Sequence, residues 1–104
     1  MLIQINATDV EKTEPLTQRA TQAVEKAMAH FQKQITRVEV HLHGHDGPDH
    51  THDNRVTMEA RLAGLQPIAV DASTHDMYEA IDNCAKKLHN AVEHKVGKLA
   101  KGKH

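Results

Sequence analysis

The chain has 104 residues, 38% of them apolar and 26% charged, an ordinary globular balance with room for one domain and one modest core. Formal net charge is −1, and a single cysteine, Cys84, excludes an intrachain disulfide. No apolar run approaches a membrane span and no signal-peptide pattern opens the chain, so a cytoplasmic location is expected.

Phe31 and Tyr78 are the only aromatic residues, so the core must be aliphatic. "MLIQIN" alternates, with Ile3 and Ile5 on one face, and reads as a first strand. "TEPLTQRATQAVEKAMAHF" follows. Thr13 can cap a helix, Pro15 fits its first turn, and Leu16, Ala20, Ala23, Ala27 and Phe31 recur at helical spacing. The expected helix runs from about Glu14 to Lys33.

"ITRVEVHLH" alternates again, with Val38, Val40 and Leu42 inward and Arg37, Glu39, His41 and His43 outward. "NRVTMEARLA" repeats the pattern with Val56, Met58, Ala60 and Leu62. "IAVDAS" adds Ile68, Val70 and Ala72. Short polar connections join these three strands, as in an antiparallel meander.

A second long helix closes the chain. Ser73 and Asp76 have the spacing of a capping box. Tyr78, Ile81, Ala85, Leu88, Val92, Val96 and Leu99 form its expected buried stripe, and Gly97 is expected to weaken its last turns and to end the regular helix early. The resulting order is β-α-β-β-β-α, an α+β fold. A four-stranded sheet carries two helices on one face, with strands one and two parallel through a right-handed crossover. The other sheet face is polar and faces water. A single domain spans residues 1–104, with the last few residues expected to form a disordered tail.

Between strands two and three, "HLHGHDGPDHTHD" packs five histidines and three aspartates into thirteen residues. His-x-His spacing puts two imidazoles on one side of an extended chain, which suits Zn²⁺, Ni²⁺ or Cu²⁺. His41, His43, His45, His50 and His52 are the candidate ligands. The loop has two glycines, no cysteine and no pocket to hold a catalytic metal, so the expected state is a polar loop without a resident metal or other cofactor. There is no phosphate-binding Gly-rich loop, no paired carboxylates and no nucleophile motif around Cys84. An enzyme is not expected, and neither is a small-molecule substrate.

Charge is unevenly distributed. Residues 1–85 hold seven Lys/Arg and thirteen Asp/Glu, whereas residues 86–104 hold six lysines and one acid. A basic end on an acidic body suits a polyanion partner. It equally suits a solvated helix end whose lysines answer the helix dipole. Lys86, Lys87, His94, Lys98 and Lys101 fall opposite the second helix's buried stripe, and Arg19, Lys26 and Lys33 recur every seven residues on the first. Together they form a candidate rRNA-binding, phosphate-binding set. With so few aromatics, recognition would run through backbone and shape rather than base stacking.

"HDMYEAIDNCAKKLHNAVEHKVGKL" resembles the second helix of the ribosome hibernation-promoting factors, or ribosome-associated inhibitors. Asp76, Met77, Tyr78, Ala80, Ile81, Asp82, Lys87, Leu88, Lys98 and Leu99 carry the resemblance. The element order agrees over nearly the whole chain, and the strands look closer to a stand-alone branch. The resemblance implies a short-type protein that binds the small ribosomal subunit in its mRNA and tRNA channel and blocks translation in stationary phase under stress. Any homo-oligomer would be weak. Asn90, Ala91 and Glu93 stand where such proteins carry a dense basic run. Two other readings remain open: a metal-binding domain built on the His-rich loop, and a protein-interaction module that kept the fold without the ribosome.

Overall fold

The computed structural model describes residues 1–44 and 53–101, with side chains through Lys98. The elements follow the expected order: β1 (Leu2–Thr8), α1 (Glu14–Ala27), β2 (Ile35–His43), β3 (Asn54–Leu62), β4 (Ile68–Thr74) and α2 (Met77–Lys101). The strands form one sheet in the order β1-β2-β3-β4. β1 runs parallel to β2, with Ile5 opposite Val40, and the other two pairings are antiparallel.

Strand alternation fixes which side chains are buried. Val38, Val40 and Leu42 of β2 and Val56, Met58 and Ala60 of β3 are fully buried beneath the helices. Leu16, Ala20 and Val24 come down from α1; Ile81, Cys84, Leu88 and Val92 come down from α2. Thr13 caps α1 as expected, its hydroxyl accepting the Leu16 N–H at 3.4 Å.

Four expectations are corrected. α1 ends at Ala27, not Lys33, and a single 3-10 turn, Ala29–Phe31, follows it. β2 begins only four residues after that turn, so the chain must reverse there, and the tighter turn drops Phe31 into the core. The capping box is not formed. Ser73 lies on β4, paired with Arg55, and Asp76 is the cap, accepting the Tyr78 N–H at 2.9 Å while Thr74 accepts the Asp76 N–H at 3.0 Å. Tyr78 is not in the buried stripe but 36% exposed. Gly97 does not end α2, which continues to Lys101. The tail expected at the chain end falls on residues 102–104, outside the described residues.

The sheet has two edge strands, β1 and β4, and a lysine sits on each. Lys12 Nζ donates to the Ile5 carbonyl of β1 at 3.1 Å, and Lys87 Nζ donates to the Asp71 carbonyl of β4 at 2.9 Å. Cationic groups on edge strands discourage further strand pairing.

Candidate nucleic-acid interface

The helix layer carries the cations that the sequence singled out, but not on one arc. At 100° per residue, Lys86 and Lys87 lie on opposite flanks of α2. Lys86 turns towards α1. With Arg19, Lys26, Asp82, His89 and Asn90 it lines an open groove of about 710 Å³ between the helices. The floor of this groove is Ala23, Ala27 and Ala85, whose small side chains let the groove form. Lys87 turns the other way, onto β4. His94 and Lys98 follow it at spacings of seven and eleven residues and are exposed on the same flank.

Within the groove, Arg19 is already engaged. Its Nε donates to Asp82 Oδ1 at 3.1 Å and an Nη to Oδ2 at 2.7 Å. Its guanidinium carbon lies 5.6 Å from the Tyr78 ring centre, within cation–π reach. The hydrogen bonds from Arg19 hold the Asp82 carboxyl below its ordinary range, and the same pair raises Arg19. Lys26 and Lys86 are exposed and make no ion pair among the described residues. Lys33 lies beyond the end of α1 and is not part of its face. Lys101 is the last residue of α2, and its side chain is outside the described residues.

His89 closes the inner end of the groove. A carbonyl only accepts, so the His89 Nδ1 must carry its proton to bond the Ala27 carbonyl at 2.9 Å. That leaves Nε2 3.3 Å from Glu93. The ring also packs 5.6 Å from Phe31. His89 therefore joins both helices and the turn after α1. Sequence reasoning did not single it out as a joint, and no local pattern signals one.

The opposite sheet face is built differently. Arg37 pairs with Glu39 at 3.2 Å, Arg61 with Glu59 at 3.1 Å and Arg55 with Asp71 at 2.9 Å. Each arginine there has an acid beside it, so the face is balanced in charge. His41 and His43 lie on this face with rings stacked 4.2 Å apart, and the Thr8 hydroxyl is 2.8 Å from His41 Nε2. Burial, with His41 and Arg55 adding, lowers the pKa of His43. Lone pairs lie in the ring planes, so stacked imidazoles do not converge on one ion. No group of three or more metal-ligating side chains occurs among the described residues. His45, His50 and His52 lie outside the described residues.

A family model matches residues 3–100, that of the sigma 54 modulation protein / S30EA ribosomal protein. The chain belongs to this family. As a member of the S30EA family it falls among ribosome-associated proteins and outside the enzymes, in line with the resemblance carried by "DMYEAID". Two solved structures share the fold. A ribosomal subunit interface protein from Coxiella burnetii matches with a TM-score of 0.77 at 20% identity, over 92% of this chain and 99% of that one. The Protein Y N-terminal domain of Thermus thermophilus matches with a TM-score of 0.76 at 19% identity, over 90% of this chain and 98% of that one. No curated protein matches the chain. Among the described residues, no helix is long and apolar enough to cross a membrane.

Proposed function

We propose that this S30EA protein is a translation inhibitor of the hibernation-factor kind, which binds the small ribosomal subunit and acts by steric occlusion without catalysis. Lys26 and Lys86 in the groove and His94 and Lys98 on the outer flank of α2 meet rRNA phosphates. Arg19 and Lys87 are held by the protein itself and stand behind that contact surface. The observation that carries the reading is the difference between the two faces. The sheet face has every arginine beside an acid, whereas the helix layer exposes Lys26, Lys86 and Lys98 with no acid bound to them among the described residues. Lysines left in this state are what phosphates recognise, and their contacts release counter-ions. The Coxiella burnetii and Thermus thermophilus structures that share the fold are named for a ribosomal subunit interface and for Protein Y, which agrees with this direction.

The test is co-sedimentation of the purified protein with 30S and 70S particles over a range of salt. Binding to 30S that weakens steadily with salt is the expected result. No binding at any salt would remove the reading, and binding only after zinc or nickel is added would move the function to the His-rich segment.

A further inference from the structure

The groove between α1 and α2 holds one group that a phosphate-binding surface would be expected to lack. Asp82 is a carboxylate set among three cations. Arg19 grips it through both oxygens, and Lys26 and Lys86 line the same groove. A bidentate guanidinium–carboxylate pair fixes the plane of the arginine and balances its charge. It takes the Nε–H and one Nη–H, so a phosphate that approaches the remaining Nη–H groups meets a cation already neutralised by the carboxylate beside it. The Tyr78 ring, 5.6 Å from the guanidinium carbon, holds it in the same place.

We infer that Asp82 is the resident counter-ion of this groove, and that it withholds Arg19 from RNA and leaves Lys26 and Lys86 as the two cations that meet phosphates. The inference rests on the rRNA reading and adds how many phosphates the groove takes. Arg19, Lys26 and Lys86 repel one another, and a fixed carboxylate among them lets the cationic groove exist before any RNA arrives. The same carboxylate lowers the strength of the site, since the residue best suited to a bidentate phosphate contact already has its charge balanced. The partner is thus held by several modest lysine contacts spread over the helix layer rather than by one arginine clamp.

The experiment compares wild type, Asp82→Asn and the double variant Asp82→Asn/Arg19→Gln. The double variant has the same net groove charge as wild type. The salt dependence of binding is measured for each with 30S particles by co-sedimentation and with a fluorescein-labelled oligouridylate by anisotropy. Urea midpoints show that the three proteins compared are folded, as expected with both side chains about two-fifths exposed. Asp82→Asn should bind more tightly and steepen the log–log salt slope by about 0.7–0.9, the value of one added phosphate contact. The double variant should return to the wild-type slope. If Asp82→Asn leaves the slope unchanged while the double variant loses one contact, Arg19 already binds phosphate and the inference fails. It fails also if the double variant keeps the steeper slope, since the gain then does not come through Arg19. Should wild type miss the ribosomal particles yet bind the oligouridylate, the ribosome reading falls and the oligouridylate slopes decide the inference alone. Wild type that binds neither overturns both.

Discussion

Cys84 is fully buried, with its Sγ 3.4 Å from the Val56 carbonyl and 3.7 Å from that of Val70. Burial, with Asp71 adding, pushes its thiol up to about 12. The reactive thiolate is therefore scarce and shielded. In native buffer at pH 8 a thiol reagent such as dithiobis(nitrobenzoate) should label it only as fast as the fold opens, and urea should make labelling immediate. Fast native labelling would place Cys84 at the surface. His43 gives a second prediction. Its pKa is lowered from 6.5 in the fold, so the unfolded chain takes up a proton that the native state resists. That stability is fully present above about pH 6.5 and is lost as pH falls towards the lower native value. Urea midpoints should drop between pH 7 and 5, and by less in His43→Asn. An equal drop in both would remove His43 as a cause. The burial of Cys84 follows from its place on α2 three residues from Ile81, on the helix's apolar side. Tyr78 was misread because spacing reports a direction around the helix and not a depth, and at this position Arg19 from another element covers the ring. The Arg19–Asp82 pair spans 63 positions and has no local signal.

The strands were legible throughout, because a period of two admits only two phases and one of them places charges in the core. Val40, fully buried at the middle of β2 and facing Met58 and Ile5 across its neighbours, tests the phase. Val40→Asp should cost about 3 kcal/mol or more in urea melts, since it buries a charge with no partner. A change within about 0.5 kcal/mol would contradict the burial. Helix ends were less legible. The apolar pattern of α1 continues through Phe31 although the backbone has already tightened, so periodicity alone overran the helix. At the start of α2, Ser73, Thr74 and Asp76 all have side chains able to cap, and only the length of β4 selects among them. Asp76→Ala should therefore destabilise the fold by about 1 kcal/mol, with Ser73→Ala close to neutral. The reverse order would restore the capping box.

For the molecule as a whole, the sequence showed an excess of lysine near the chain end but not how the fold would divide it. The packing of α2 between α1 and β4 sends Lys86 to the groove and Lys87 to a strand edge, and a helical wheel of α2 alone does not contain either neighbour. The consequence is measurable. Changing Lys26, Lys86 and Lys98 together to Gln should flatten the salt slope of ribosome binding by about 2–3 units. The urea midpoint should barely move, because exposed lysines contribute little to stability. Arg37→Gln on the sheet face should leave the slope unchanged. A slope that responds to Arg37 and ignores the three lysines would turn the molecule over and place the contact on the sheet.

The two edge lysines bear on how the protein behaves when crowded. An open four-stranded sheet is a template at both ends, and stacking copies edge to edge would build a fibre one molecule at a time. Here each growing end meets an ammonium group already bonded to a mid-strand carbonyl. An incoming strand would have to evict that cation and supply a partner for it. The barrier falls on the first step of polymerisation, where no later contacts have yet formed to offset it. Edge-to-edge growth of the sheet is thus opposed at the one step on which every later step depends.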